Sequence, residues 1–87
     1  MKAIRSVSIT YKGALTLEKI FHFFKKVTHY KSNLFLNKGQ VLTNCDTFSS
    51  LVSFFTTLKK GDTFLLILEG DGIHVERNIK KLSKSIE

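Results

Sequence analysis

The sequence predicts an α+β fold in which one four-stranded antiparallel sheet carries three helices on a single face. Two observations predict it. Apolar residues change spacing along the chain, from every second residue to every third or fourth, in the order β-α-β-β-α-β-α. A tight turn at Lys38-Gly39 joins the middle strands, which makes at least that pair antiparallel. With 87 residues, 43% of them hydrophobic, we expect one domain spanning residues 1–87.

The first half of the chain predicts a strand, a helix and a hairpin. Ala3–Thr10 alternates in polarity, as a strand with one buried face does. Leu17–Thr28 has helical spacing, and Thr16 is its expected N-cap because a hydroxyl there accepts hydrogen bonds from first-turn amides. The residues of this helix predicted to face inward are Leu17, Ile20, Phe21, Phe24 and Val27. Asn33–Asn37 and Gln40–Thr43 are the predicted hairpin strands.

The second half predicts two helices on either side of an apolar strand. Asp46 or Thr47 caps a helix predicted over Phe48–Lys60. Its inward residues are predicted to be Phe48, Leu51, Val52, Phe55 and Leu58, with Phe54 at the edge. Thr63–Glu69 is the fourth strand. The last helix is predicted to turn Val75, Ile79 and Leu82 inward and Arg77, Lys80, Lys81 and Lys84 outward.

Composition narrows the function classes. The net charge of +7 permits a nucleic acid, an anionic membrane surface or an acidic protein as partner. The longest apolar run, Phe64–Leu68, is too short for a membrane span, and the N-terminal residues do not resemble a signal peptide. The lone Cys45 suggests a reducing compartment, so we expect a cytoplasmic protein. No histidine pair has the spacing of a metal site on one helix, and we expect no metal and no cofactor.

The element order resembles the histidine-containing phosphocarrier protein HPr of the bacterial sugar phosphotransferase system, over nearly the whole chain. Val7–Thr10 is similar to the first strand of that family, and Phe23-Phe24 lies where its first helix packs. Lys60–Thr63 and Glu69–Asp71 resemble the turns on either side of its fourth strand. The resemblance implies an HPr-like open-faced β-sandwich.

The active motif of the family reads G-x-H-A-R-P-A, and this chain departs from it. Alignment on Gly13 puts Leu15 at the histidine and Leu17 at the arginine. Alignment on the first strand and helix puts Thr16 and Glu18 there, and we prefer it because the family histidine also caps its helix. Neither alignment supplies an imidazole. A threonine ester would hold a phosphoryl group, and Glu18 would repel phosphate. The resemblance therefore implies a degenerate phosphocarrier site.

Two further family features have counterparts in the second predicted helix. A regulatory serine, phosphorylated by a dedicated kinase in some bacteria, aligns with Ser49 or Ser50. Phosphate at a helix N-terminus is electrostatically favourable. The residues after that serine form part of the family's protein-docking surface, and Leu51 and Phe54 occupy that stretch. We therefore predict a regulatory phosphosite at Ser49 or Ser50 and a docking site at Leu51 and Phe54.

These observations predict an HPr-like protein without the phosphorylatable histidine, with a regulatory or protein-docking role. We expect its partner to be a phosphotransferase-system or transcriptional-regulator component. One alternative is a phosphocarrier that uses a non-standard acceptor. Another is a nucleic-acid-binding domain, since Lys25, Lys26 and the cations of the last helix could form a basic surface. We expect no enzymatic activity, because no nucleophile–base constellation is evident.

Overall fold

In a computed structural model, which describes residues 2–13 and 15–86, the chain forms the predicted α+β sandwich. Its elements are β1 (Lys2–Thr10), α1 (Leu17–His29), β2 (Asn33–Lys38), β3 (Val41–Asn44), α2 (Phe48–Thr56), β4 (Thr63–Asp71) and α3 (Val75–Ile86). The predicted element order and fold class are confirmed. Within the described residues, no helix is both long enough and apolar enough to cross a membrane.

The four strands form one antiparallel sheet in the order β1-β4-β2-β3. β4 pairs with β1 on one side and with β2 on the other. Leu66 of β4 therefore lies opposite both Val7 of β1 and Leu36 of β2. The hairpin turn is formed by Gly39 and Gln40, one residue later than predicted. Gly39 has a φ of 63°, a conformation that glycine adopts at little cost. β2 therefore ends one residue later than predicted, and β3 begins and ends one residue later.

One hydrophobic core lies between the sheet and the helices. The sheet contributes Ile9, Leu34, Leu36, Phe64, Leu66 and Leu68, and the helices contribute Ile20, Phe23, Val27, Leu51, Phe54, Phe55, Val75, Ile79, Leu82 and Ile86. Alternate residues of each strand point to the other side of the sheet, which none of the helices in the described part of the chain covers. The inward residues and outward cations predicted for α3 are confirmed.

α1 is rotated about its axis relative to the predicted orientation. Ile20 and Val27 are buried as predicted, and Phe23 lies fully buried between them. Leu17 and Phe21, which were predicted to face inward, are exposed. Aromatic residues occur on several sides of this helix, so apolar spacing alone does not determine which side meets the sheet. The rotation places two apolar side chains on the surface.

α2 ends at Thr56, earlier than the predicted Lys60. The hydroxyls of Thr56 and Thr57 each donate a hydrogen bond to the backbone carbonyl oxygen three residues earlier, at 2.8 and 2.7 Å. Such bonds compete with the helical ladder. The chain then turns at Gly61, whose φ of 96° favours glycine. The shorter helix leaves Leu58 buried beyond its end.

Candidate functional site

The start of α1 is where the sequence predicts a degenerate phosphocarrier motif, and the predicted cap is confirmed. Thr16 is the N-cap, and its Oγ1 accepts a hydrogen bond from the backbone N–H of Lys19 at 3.2 Å. Its carbonyl oxygen accepts the first helical hydrogen bond, from the N–H of Ile20 at 3.0 Å. The hydroxyl of Thr16 therefore already binds one of the backbone N–H groups with which a helix start can bind an anion.

Glu18 makes the electrostatics of this helix start unfavourable for phosphate. Its exposed carboxylate lies in the first turn, where a negative charge interacts favourably with the helix dipole. The Oε1 of Glu18 is 3.8 Å from the Nε2 of His22, and both side chains are largely exposed, so this pair is weak. His29 ends α1 and His74 precedes α3. None of the three histidines occupies the cap, and an incoming phosphate would meet a carboxylate.

Leucine side chains surround the same helix start. Leu17 is 64% exposed, and Leu15 is half-buried. Both line a cavity of about 340 Å³ that extends to Val52 of α2. The start of α1 therefore presents apolar side chains to solvent. A phosphate site would need hydrogen-bond donors and cations there.

Aromatic rings extend this surface along the two helices. The rings of Phe21 and Phe48 pack edge to face with centroids 5.6 Å apart. The Nζ of Lys25 lies 5.2 Å from the centroid of the Phe21 ring, within the range of a cation–π contact. Five residues thus form what we call the α1–α2 apolar surface, namely Leu15, Leu17, Phe21, Phe48 and Val52. A contiguous group of this kind is typical of a protein-binding site.

The start of α2 has a more extensive cap. Thr47 is the N-cap, and its Oγ1 accepts from the N–H of Ser50 at 3.1 Å. The Oγ of Ser50 accepts in return from the N–H of Thr47 at 3.4 Å, which completes a capping box. Ser49 is exposed, and no hydrogen bond engages its hydroxyl within residues 2–13 and 15–86. No acidic residue lies in the first turn.

Leu51 and Phe54, the residues predicted to form a docking site, are not on the surface. Leu51 is fully buried and Phe54 is only 5% exposed, because α2 turns these residues and Phe55 towards the sheet. Phe54 packs edge to face against Phe55 and Phe64. Leu51, Phe55 and Leu58 are buried as apolar spacing predicted, whereas Phe48 and Val52, also predicted to face inward, are half-buried. Phe54, predicted at the edge, is in the core instead. Two neighbouring apolar directions on a nine-residue helix left that choice open.

A second concavity lies between α2 and the β2–β3 hairpin. It has a volume of about 880 Å³, and its lining includes Val41, Thr43, Ser50 and part of Phe54. At one end the Nζ of Lys38 donates to Asp62 Oδ2 at 2.8 Å. This contact holds the pKa of Asp62 below its ordinary value.

The remaining chemistry-bearing groups do not converge on either helix start. The four predicted cations of α3 are exposed, and none takes part in the two ion pairs found in the described part of the chain. Burial, together with the charge of Asp46, raises the pKa of the Cys45 thiol to about 12, which makes it a poor nucleophile. No group of three metal-ligating side chains occurs among the described residues.

Comparison with known proteins identifies the fold. No protein-family model matches the chain, and no curated protein matches it in sequence. Among solved structures, the phosphocarrier protein HPr of Bacillus anthracis aligns over 99% of this chain and 98% of its own, with a TM-score of 0.72 and 15% identity. HPr-C-His of Thermoanaerobacter tengcongensis gives a TM-score of 0.74 and 23% identity over 94% of this chain and 90% of its own.

The histidine-containing phosphocarrier protein of Mycoplasma is similar to the same extent. It aligns over 95% of this chain and 90% of its own, with a TM-score of 0.70 and 17% identity. The chain therefore has the HPr-like fold from end to end.

Proposed function

We propose that this chain is an HPr-like protein that does not carry phosphate at the start of α1 and acts by docking to a protein partner. The observation that carries the proposal is the composition of that helix start. Thr16 fills the cap, Glu18 supplies a negative charge in the first turn, and Leu17 is exposed beside them. Each of these residues disfavours phosphate transfer, and the leucine favours contact with another protein.

Thr16 is a poor substitute for a phosphorylatable histidine. A threonine hydroxyl is a weak nucleophile unless a general base activates it, and the oxygen of Thr16 already accepts the hydrogen bond from the N–H of Lys19. A phosphate ester on threonine is also a poor donor in a relay, because it does not pass the phosphoryl group onward as readily as a phosphoramidate does. Loss of relay with retention of the fold is consistent with a regulatory or docking role.

The α1–α2 apolar surface is the proposed docking site. Leu17 and Phe21 are exposed at its centre, and Phe48 supports the Phe21 ring. Lys25 adds a positive charge at the rim, on a chain of net charge +7. The surface therefore suits a partner with an apolar centre and an acidic rim. We propose a cytoplasmic component of the phosphotransferase system or a transcriptional regulator.

Ser49 is the proposed regulatory phosphosite. Its hydroxyl is exposed and the first turn of α2 lacks an acidic residue, so a phosphate there would interact favourably with the helix start. Ser50 is less suitable, because its hydroxyl belongs to the capping box and phosphorylation would break that contact. We expect kinase treatment with ATP, followed by mass mapping, to find phosphate on Ser49. Ser49→Ala should abolish it, and Ser50→Ala should not.

Docking can be tested by nuclear magnetic resonance with ¹⁵N-labelled protein and the unlabelled first enzyme of the phosphotransferase system. We expect shifts in the amide signals around Leu17, Phe21 and Phe48. Replacement of Leu17 and Phe21 together by serine should weaken binding at least about tenfold. Ile73→Ser is the matched control, since Ile73 is 82% exposed and lies between β4 and α3. Binding that survives the double replacement, or that shifts only other regions, contradicts this docking site.

A further inference from the structure

The uncovered face of the sheet carries a group of large apolar side chains. Ile4 and Leu42, on the edge strands, are each 60% exposed, and Leu65 on β4 is also exposed. Cross-strand pairing places Ile67 beside Phe35, both half-buried, between these positions. An antiparallel sheet that faces water normally has polar residues on that side. From these residues we infer that the open face packs against the same face of a second copy of the chain.

The sequence of β4 indicates that this strand is buried on both faces of the sheet. Its central residues, Phe64–Leu68, are apolar without alternation. Phe64, Leu66 and Leu68 face the helices and are buried, whereas Leu65 and Ile67 face the open side. A continuous apolar run of this kind is typical of a strand buried on both faces. β4 has the composition of an inner strand, and the helices account for only one of its two faces.

The charge distribution favours a second copy as the occupant. Among residues 2–13 and 15–86, the open face carries one cationic side chain, Lys2, and two carboxylates, Glu69 and Asp71, so its side chains sum to a formal charge of −1 on a chain of +7. Asn33 Nδ2 donates to Glu69 Oε1 at 2.9 Å within the face, and Lys2 lies opposite Asp71. The exposed cations of α3 lie on the helical side. Two copies can therefore approach through their sheets with least repulsion.

The size of the face sets the strength of the dimer. Strands spaced about 4.8 Å apart, with a rise of about 3.3 Å per residue, give this four-stranded face an area of roughly 450 Å². Stable interfaces bury about 800 Å² on each partner. The dimer is therefore weak and populated only at high protein concentration. Because the sheet and the α1–α2 apolar surface lie on opposite sides, dimerisation leaves the proposed docking site accessible.

Sedimentation equilibrium across protein concentrations from about 20 µM to about 1 mM tests the inference, since this range spans the dissociation constants of weak complexes. We expect a monomer–dimer equilibrium that strengthens with added sodium chloride, because salt screens the repulsion between two basic chains. Association that weakens with salt, or a monomer at the highest concentration and salt, would overturn it. If the protein stays monomeric under all these conditions, the open face does not bind a second copy and a different partner would have to cover it.

Charge substitutions locate the interface. Ile4→Lys and Leu42→Lys should each weaken dimerisation at least about tenfold, because each removes an apolar contact and places a charge in the interface. Val41→Lys is the matched control, since it adds the same charge at a similarly exposed residue that precedes Leu42 on β3 and lies on the helical side of the sheet. We expect it to leave the dimer intact. A dimer that is lost only in the control, or that persists in both sheet variants, contradicts the inference.

Concentration-dependent amide shifts in the unmodified protein provide a readout that does not depend on any variant folding. We expect the amide signals of Phe35, Leu65 and Ile67 to shift as the dimer forms. Shifts confined to α1 and α2 would overturn the inference.

Discussion

The starts of α1 and α2 have the same kind of cap and different surroundings. Both helices begin after a threonine whose hydroxyl accepts a hydrogen bond from the third residue of the helix. At α1 the first turn contains Glu18 and exposed Leu17, whereas at α2 it contains Ser49 and Ser50 and no acidic residue. A capped helix start is therefore not by itself a phosphate site. The side chains of its first turn decide between an anion and an apolar partner.

The largest expected difference concerns the apolar residues of the two helices. Phe54→Ser should lower the free energy of unfolding by about 3–5 kcal/mol, because it leaves a cavity in the core. Leu17→Ser should change it by less than about 0.5 kcal/mol, since that side chain is exposed. Urea unfolding followed by circular dichroism measures both. If the two losses were equal, α2 would present its aromatic edge to solvent and the assignment of surfaces would be reversed.

The caps themselves should differ in strength. Thr47→Ala should destabilise the protein by about 1–2 kcal/mol, because it breaks the reciprocal contact with Ser50. Thr16→Ala should cost about 0.5–1 kcal/mol, because it removes one hydrogen bond from Lys19. Chemical denaturation of both variants against the unmodified protein checks the order. A larger loss of stability in Thr16→Ala than in Thr47→Ala would contradict the assignment of Thr16 as an N-cap with a single side-chain hydrogen bond.

Charge changes in the two first turns should have opposite signs. Glu18→Gln removes a carboxylate from a helix N-terminus and should destabilise by about 0.3–1 kcal/mol. Ser49→Asp adds one and should stabilise by a similar amount of about 0.3–1 kcal/mol. Both effects should shrink in high salt, where surface charges are screened. Thermal unfolding at low and high ionic strength provides the comparison, and a loss of stability in Ser49→Asp would count against Ser49 as a phosphosite.

The smallest effect is expected at the far end of α2, where Asp62 holds the turn into β4. Its Oδ2 accepts hydrogen bonds from Lys38 Nζ and from the N–H of Lys59, each at 2.8 Å. The hydrogen bond from Lys38, then that from Lys59, lowers the pKa of Asp62 from its ordinary value of 3.8. The carboxylate therefore stabilises the fold above that value and loses its contribution as the pH falls through the lowered pKa.

Acid titration of stability can isolate this contribution. The unmodified protein should lose more stability below pH about 4 than Asp62→Asn does, because the variant has no carboxylate to protonate. Identical acid profiles for the two proteins would show that the contact with Lys38 does not persist in solution.

Most of the fold could be predicted from the sequence, because period-two and period-3.6 patterns and cap residues are local signals. Thr16 and the outward cations of α3 are examples. The orientation of α1 and α2 about their axes could not, since Phe21, Phe23 and Phe24, like Phe54 and Phe55, offer several apolar directions. Packing against the sheet selects one of them. Packing placed Leu51 and Phe54 in the core, and it placed Leu17 and Phe21, which were expected to be buried, on the surface.

The end of α2 depended on information that apolar spacing does not carry. Thr56 and Thr57 end the helix through hydrogen bonds to their own backbone, which apolar periodicity does not report. The open face of the sheet was predicted, because all three helices were expected on one side, but the exposed apolar residues on that face, Ile4, Leu42 and Leu65, were not.

Transfer of phosphate from phosphoenolpyruvate through the first enzyme of the phosphotransferase system tests the central claim most directly. HPr of Bacillus anthracis, assayed in parallel, serves as the positive control. A variant that combines Thr16→His and Glu18→Arg tests whether the helix start retains the geometry of the site, and we expect it to acquire acid-labile phosphate. The unmodified protein should remain unlabelled. Acid-labile phosphate on the unmodified protein would contradict the account.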